Sequence, residues 1–189
     1  MYTTESKSNG TRTRLLDGAV ECLRRKGYAE TTARDVAEAA GANLRSIGYH
    51  FGSTKALLLA AISLNFRNWL QPLIDASGEG ARSPEERLRA GMERFVEELA
   101  GNGPVLRAWL EAVALAGHEE ALRSTLAKNQ REFRHRLEQS LRGGEAPRPV
   151  ESAAAIVTIC DGIIIRFLLH GEVARPREVA QLVGKVFGD

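Results

Sequence analysis

Cysteine is nearly absent from the sequence, which contains two residues of this type, Cys22 and Cys160, among 189. They are far apart, and each lies within an apolar pattern of helical period. Neither has a second cysteine or a histidine near enough along the chain to complete a set of zinc ligands. This usage excludes a disulfide framework and predicts buried thiols in a reducing compartment.

An apolar segment is missing from the N-terminus, where "MYTTESKSNGTRTR" is polar and cannot serve as a signal peptide. We interpret residues 1–10 as a flexible leader. The longest apolar run, Ser152–His170, approaches the length of a membrane span but is interrupted by Asp161, Gly162 and Arg166. Each charge at a bilayer midplane costs about 2.5–3.5 kcal/mol. We therefore predict a helix buried by protein and a cytoplasmic chain without a membrane partner.

Patterns typical of catalysis are also missing. The four histidines are scattered, and "HEE" at His118 lacks the HExxH spacing of a zinc protease. The chain has no glycine-rich loop suited to phosphate and no nucleophile with a base and an orienting group at a recognisable spacing. We predict that the protein is not an enzyme and that it uses no cofactor and no metal.

The pattern of a β-strand is also missing from the sequence, because no segment alternates between apolar and polar residues for long. Apolar residues instead recur at the spacing of a helix from end to end, which predicts an all-α fold of about nine helices. The predicted helices cover Thr13–Lys26, a segment after Thr32, a segment from Asn43 to Phe51, a segment from Ser53 toward Pro72, one after Ser83, one from Pro104 to Gly117, His118–Leu141, the apolar run, and one from Pro176.

Positive charge is in excess only in the first third of the chain. Residues 1–60 hold nine Lys and Arg against six Asp and Glu, whereas the remainder holds seventeen against eighteen. A difference of three charges is also common on ordinary solvated surfaces. Its position nevertheless favours an anionic partner for the N-terminal region.

Two short helices in this region are joined by a turn, within "TTARDVAEAAGANLRSIGYHFGSTKALL" from Thr31 to Leu58. Gly41 stands where the chain must turn sharply, and Val36, Ile47 and Phe51 have the spacing to pack against the first helix. This is the arrangement of a helix-turn-helix motif, whose second helix enters the major groove of DNA. We predict a three-helix DNA-binding domain over residues 11–56, followed by a larger helical domain over residues 57–189.

The second helix of this motif carries side chains that a small core does not need. Arginine suits guanine edges and phosphates, hydroxyl and imidazole groups reach backbone oxygens, and helix N-termini attract phosphates. Taken singly, each could be an ordinary packing, capping or surface residue. The predicted DNA-binding residues are Thr32, Asn43, Leu44, Arg45, Ser46, Tyr49, His50, Ser53 and Lys55.

The same stretch resembles the DNA-binding region of the TetR family of bacterial transcriptional regulators. The family pattern has a Thr-rich entry, "AGVS", "LYYHF" and an "SK" start to the fourth helix; here the stretches are "TTARDVAEAAGAN", "IGYHF" and "STKALL". Gly48 replaces a tyrosine that packs and touches DNA in the family. Thr54 replaces a phosphate-binding lysine, so the resemblance carries that role to Lys55. These departures leave open a helical ligand-binding or interaction module with weakened or lost DNA binding.

One helix-turn-helix reads only a few base pairs, so a dimer on a palindromic operator of double-stranded DNA is expected. The last two helices are rich in apolar residues, and in the family they form a four-helix interface between subunits. Burial within one chain would explain the same pattern. The residues predicted for the homodimer interface are Ile156, Ile163, Phe167, Val179, Leu182, Val183 and Val186.

The resemblance also implies a ligand pocket walled by the middle helices and a repressor that a small-molecule effector releases from DNA. Large apolar side chains with a few polar tips suit such a pocket and favour a mainly apolar ligand. Taken singly, residues of these types are more often part of an ordinary core than in contact with a ligand. The predicted ligand-binding residues are Phe66, Trp69, Met92, Phe95, Trp109, Val113, Phe133 and Cys160.

Overall fold

The protein is all-α in the computed structural model, which describes residues 3–77, 83–173 and 175–187. This confirms the predicted fold class. Nine helices lie within the described residues: α1 (Thr3–Lys26), α2 (Ala33–Ala39), α3 (Arg45–Phe51), α4 (Thr54–Ser77), α5 (Pro84–Glu97), α6 (Leu99–Ala116), α7 (Glu120–Gly143), α8 (Pro149–His170) and α9 (Pro176–Phe187).

The chain forms two compact units. The first contains Met1–Phe66 together with Pro104–Leu126, and the second contains Arg67–Gly103 together with Ala127–Asp189. The first unit thus includes α1, α2, α3, the beginning of α4, most of α6 and the beginning of α7. The segment that we predicted to bind DNA is accordingly packed with a stretch of chain from the middle of the sequence.

The core of the first unit is built mainly from small and branched side chains of six helices, α1, α2, α3, α4, α6 and α7. Leu15 on α1, Val36 on α2 and Leu57 on α4 are fully buried, and Ile47 anchors α3 beside them. Phe51 is partly buried against the same cluster, as its spacing predicted, and Val20 of α1 is partly buried there too. Ala108 and Ala112 complete the core from α6.

The second unit has its own core, in which aromatic and sulfur-containing side chains take part. The Trp69 and Phe95 rings are stacked with their centroids 4.6 Å apart. Helix α9 packs against both α5 and α8, and its Val179 is fully buried. Helix α8 is long and apolar enough to cross a membrane, but one of its faces is buried within this unit.

Several helix starts lie where the capping signals predicted them. Thr32 and Asp35 form a reciprocal capping box at α2, and Ser83 and Glu86 form another at α5. Ser53 Oγ accepts a hydrogen bond from Ala56 N at 3.1 Å, which caps α4. Short side chains that bind the free amides of a first turn are strong local signals because they act within three residues.

Other boundaries differ from the predictions. Helix α1 begins at Thr3 rather than Thr13, so described residues of the predicted leader are helical. Thr13 lies inside this helix, where its hydroxyl donates to Asn9 O at 3.1 Å. A polar segment without apolar period carries no periodic signal, although nothing in its composition forbids a helix.

Two prolines lie inside helices rather than at their ends. We expected α4 to kink or stop at Pro72, but it continues to Ser77. Helix α6 begins at Leu99 and runs through Pro104, where we had placed its start. Proline removes one backbone donor and disfavours a helix interior. Burial of neighbouring side chains, such as Leu73 in α4 and Leu99 in α6, favours the helix and outweighs that local cost.

Candidate DNA-binding site

The turn between α2 and α3 depends on a glycine and two small residues. Gly41 has a φ of +54°, a left-handed conformation that glycine adopts without strain. Ala42 N donates to Ala37 O at 2.9 Å, which closes the end of α2. Ala37 and Ala40 are both buried, as expected where two helices approach closely. Together these features give the turn of the predicted helix-turn-helix.

Helix α3 attaches to the core mainly through Ile47, the residue of this helix that is buried. Asn43 Oδ1 accepts a hydrogen bond from Arg45 N at 2.9 Å, and Asn43 lies one residue before Leu44, which occupies the N-cap position of α3. Arg45 is exposed and Ser46 is half-buried. The helix is thus fixed by one side and presents its first turn to solvent.

Large side chains lie exposed around this helix. Tyr49 is 81% exposed and Leu44 is 51% exposed, values that are costly for an aromatic ring and a leucine unless a partner covers them. The rings of Tyr49 and His50 meet edge to face with centroids 4.8 Å apart. His50 in turn lies edge to face against Phe51, which is partly buried. The aromatic cluster therefore extends from the core to the solvent.

Sequence reasoning missed two arginines of α1 beside this helix. The Arg12 guanidinium lies 5.1 Å from the centroid of the Phe51 ring, and Arg14 donates to Gly41 O at 3.3 Å. Arg12 therefore adds a cation at the end of α3, while Arg14 supports the turn. The sequence signal was the pair of arginines in "TRTRLL", directly before the first core leucines.

Thr32 is exposed, but its hydroxyl is already engaged within the chain. It donates to Asp35 Oδ2 at 2.7 Å, and Lys26 Nζ donates to the other oxygen of that carboxylate at 2.7 Å. The hydrogen bonds from Lys26 and Thr32 hold the pKa of Asp35 well below its usual range. The start of α2 is thus a small charged network, fixed to the end of α1.

Lys55, to which we assigned a phosphate contact, is paired with a distant carboxylate. Its Nζ lies 2.8 Å from each oxygen of Glu119, just before α7. The hydrogen bond to Glu119 raises the pKa of Lys55 above its ordinary value. Any phosphate near Lys55 would have to compete with this carboxylate.

A second carboxylate, Glu111 of α6, contacts the connection between α1 and α2. Its Oε2 accepts hydrogen bonds from Tyr28 N at 2.7 Å and from Ala29 N at 3.0 Å. Gly27 precedes these amides with a φ of +79°. A Cβ at Gly27 would lie 2.6 Å from Glu111 Oε1, so glycine gives the carboxylate room to approach.

The predicted ligand-binding residues are divided between the two units. In the first, Phe66 and Trp109 have ring centroids 5.6 Å apart, whereas Val113 is exposed. In the second, Trp69 stacks on Phe95.

The remaining three predicted ligand residues belong to the second unit. Met92 Sδ lies 3.9 Å from Cys160 Sγ, and Phe133 is half-buried. Burial raises the pKa values of both the Cys160 and the Cys22 thiols. Within the described residues no group of three or more His, Cys, Asp or Glu side chains converges on a metal-sized site.

The predicted dimer residues fall into three groups. Ile156, Ile163 and Val179 are buried within the chain itself, so they are core residues and offer no free surface to a partner. Phe167 is half-buried and Leu182 is exposed. The side chains of Val183 and Val186 lie outside the described residues.

Comparison with known proteins assigns both parts of the chain. Residues 15–61 match the model of bacterial regulatory proteins of the tetR family, and residues 84–186 match the model of the C-terminal region of BetI-type transcriptional repressors. The chain is 26% identical over 161 residues to the HTH-type transcriptional regulator BetI of Stenotrophomonas maltophilia, covering 85% of this chain and 82% of that protein.

Solved structures share the fold. A transcriptional regulator of Streptomyces coelicolor A3(2) superimposes with a TM-score of 0.73 at 20% identity, covering 95% of this chain and 99% of that one. The multidrug binding protein EbrR, complexed with proflavin, superimposes with a TM-score of 0.66 at 22% identity, covering 93% of this chain and 99% of that one. The chain therefore belongs to the TetR family, with a C-terminal region of the BetI type, and is a DNA-binding transcriptional regulator rather than an enzyme.

Proposed function

We propose that the protein is a cytoplasmic, dimeric repressor that binds a palindromic operator and is released from it by a small, mainly apolar ligand. The observation that carries this proposal is the outer face of α3. Ile47 fixes the helix to the core, while Tyr49 and Leu44 are left uncovered. An exposed helix that follows a tight turn is the element that enters a major groove in helix-turn-helix proteins.

The side chains at this face divide into two roles. Arg45 is exposed in the first turn of α3, where N-terminal residues face base edges, and its guanidinium suits the two acceptors of guanine. Ser46 and Leu44 flank it and suit a hydroxyl contact and a thymine methyl group. Tyr49, His50, Asn43 and Ser53 carry polar groups that suit contacts to the DNA backbone, and Thr32, whose hydroxyl is bonded to Asp35, supports the start of α2 beside them.

Dimerisation is supported by apolar surface that one chain leaves uncovered. Leu182 of α9 is 38% exposed, and Leu169 at the end of α8 is 72% exposed. Both belong to the unit in which α8 and α9 pack together. A second copy of the chain would cover these side chains and place two recognition helices on one DNA molecule, with half-sites spaced by its helical turn of ~34–36 Å.

The ligand part of the proposal is supported by the apolar character of the candidate residues and by the similarity to EbrR, which binds proflavin. A ligand acts by favouring one of two pre-existing arrangements of the helices. Helix α4 begins next to α3 and continues into the second unit, so a change along it alters the separation of the recognition helices. If operator affinity stays the same with every compound that raises the melting temperature, this coupling is wrong.

Selection of sheared genomic DNA on the purified protein, at ~50 and ~200 mM salt, tests the DNA-binding part. Sequencing of the retained fragments is expected to reveal one palindromic site. Arg45→Ala should then weaken binding to that site by about 1–3 kcal/mol and relax the preference at one base pair. Arg131→Ala, which changes an exposed arginine of α7 in the second unit, is the matched control and should bind normally.

The alternative, a helical ligand-binding or interaction module, predicts a different result. Such a protein retains no shared fragment at either salt concentration. Retention without a shared site would likewise contradict a sequence-specific repressor.

A further inference from the structure

Two carboxylates from the middle of the chain hold the segments that flank the helix-turn-helix. Glu111 of α6 binds the amides of Tyr28 and Ala29, which precede α2 by a few residues. Glu119, in the short connection between α6 and α7, binds Lys55 in the first turn of α4, directly after α3. The motif therefore has one carboxylate contact before it and one after it, both from the same segment.

The side chain of Tyr28 lies close to the second of these contacts. It is 5% exposed, and among the described residues its hydroxyl has no hydrogen-bond partner. Burial raises the pKa of this phenol, and the charges of Lys55 and Glu119 act on it in opposite directions. Tyr28 thus links the two contacts into one junction, because its amide binds Glu111 and its phenol lies within electrostatic reach of Lys55 and Glu119.

The charge of Lys55 is compensated within the chain. A single ammonium that is 2.8 Å from both oxygens of one carboxylate has little net attraction left for a phosphate. Thr54 is the position that matches the phosphate-binding lysine of the family, and Lys55 lies one residue later. One residue corresponds to a rotation of about 100° around a helix, so the Lys55 side chain leaves the helix in a different direction. Both observations argue against a phosphate contact by Lys55.

We propose that Glu111 and Glu119 are positioning residues for operator binding, and that Lys55 acts through Glu119 instead of contacting a DNA phosphate. The Glu111 contact fixes the entry to α2, and the Lys55–Glu119 ion pair fixes the exit from α3. Loss of either contact frees one end of the motif, and the recognition helix then samples orientations that do not fit the groove. This inference rests on the proposed operator binding.

A charge exchange between Lys55 and Glu119 separates the two roles of the lysine. Operator affinity is measured over a range of salt for Lys55→Glu, for Glu119→Lys and for the double variant. We expect each single variant to bind several-fold more weakly and the double variant to recover most of the loss, because the ion pair is restored in reverse. A phosphate contact by Lys55 predicts instead that the double variant stays weak.

The salt dependence of operator affinity provides a second measurement, because it changes when a phosphate contact is lost and stays the same when only the position of the helix is affected. Removal of one phosphate contact lowers the slope of log K against log salt concentration by about 0.9. We expect Lys55→Gln to leave this slope unchanged and Glu119→Gln to weaken binding. A lower slope for Lys55→Gln, or tighter binding by Glu119→Gln, would overturn the proposal.

Hydrogen exchange of the free protein tests the same junction without DNA. Glu111→Ala is expected to raise deuterium uptake in peptides covering residues 28–51, whereas Glu111→Gln, whose amide oxygen still accepts from the two amides, should raise it less. Glu97→Ala, an exposed glutamate of α5 in the second unit, is the control. If deuterium uptake in Glu111→Ala is unchanged, the positioning role is refuted, whether or not the protein binds an operator. If uptake rises but no operator is found, only the proposed function is refuted.

Discussion

Lys26 Nζ, in the last turn of α1, lies 2.7 Å from Asp35 Oδ1, in the first turn of α2. The other oxygen of the same carboxylate accepts hydrogen bonds from the backbone and hydroxyl of Thr32. One side chain therefore both caps α2 and joins it to α1. In its ionised form this carboxylate adds a polar contact between α1 and α2 to the apolar packing of Val36 and Ala37.

Asp35→Asn is expected to destabilise the protein at neutral pH and to have a diminishing effect in acid. The hydrogen bonds lower the pKa of Asp35 in the folded state, so its contribution is complete above the unfolded value of 3.8 and is lost as the pH falls toward the folded value. Urea unfolding at pH 7 and pH 3 measures the difference. Asp17→Asn, an exposed carboxylate of α1, is the control. An equal loss at both pH values would contradict a role for the ionised form.

Gly27→Ala should destabilise the protein more than Gly41→Ala. Both glycines have a positive φ, which costs a residue with a Cβ about 1–2 kcal/mol. At Gly41 a Cβ has open space, whereas at Gly27 it would also displace the Glu111 carboxylate. The difference between the two variants in thermal unfolding isolates the cost of losing the Glu111 contact. Equal destabilisation would mean that this contact contributes nothing.

Gly48→Ala is expected to stabilise the protein by about 0.5–1 kcal/mol, since alanine is the better helix former. A Cβ at Gly48 would meet no atom within 4 Å, so the gain in helix propensity carries no steric cost. Gly101→Ala, on α6, also has open space and serves as a reference for the same gain. Chemical denaturation of both variants gives the comparison. If Gly48→Ala destabilises the protein and Gly101→Ala does not, then residue 48 requires glycine for a reason other than the space around its Cβ.

Leu182→Arg should convert the proposed dimer to a single chain of 20.7 kDa. The substitution places a charge on an apolar surface that a second copy would bury, and burial of an unpaired charge is costly. Sedimentation gives the mass. Val113→Arg changes an equally exposed apolar residue, 38% in both cases, and should leave the mass unchanged. A dimer mass for Leu182→Arg would show that the interface lies elsewhere.

Local features of the fold could be predicted from sequence, and long-range ones could not. The capping residues Thr32, Ser53 and Ser83 were predicted because a cap and its amide lie within three residues. The passage of α4 through Pro72 was missed because the burial that favours it comes from other helices.

Local features of the candidate DNA-binding site could likewise be predicted from sequence, and its long-range contacts could not. The exposed face of α3 followed from the period of one helix, anchored by Ile47. Glu111 and Glu119 were missed because they act across 83 and 64 residues of sequence, on Tyr28 and Lys55. A solvent-facing glutamate and one that binds a distant amide have the same appearance in a sequence. For that reason the prediction of a phosphate contact for Lys55 took no account of its carboxylate partner in the same chain.

The discontinuity of the first unit has a consequence for protein engineering. A chimeric regulator is most simply made by exchanging the N-terminal segment of one family member for that of another. In this chain such a graft would carry Met1–Phe66 without Pro104–Leu126, and so without Glu111, Glu119 and the alanines that complete its core. A graft that moves both stretches keeps this core and its two carboxylate contacts together, and we expect it to fold more stably than a graft of the first stretch alone.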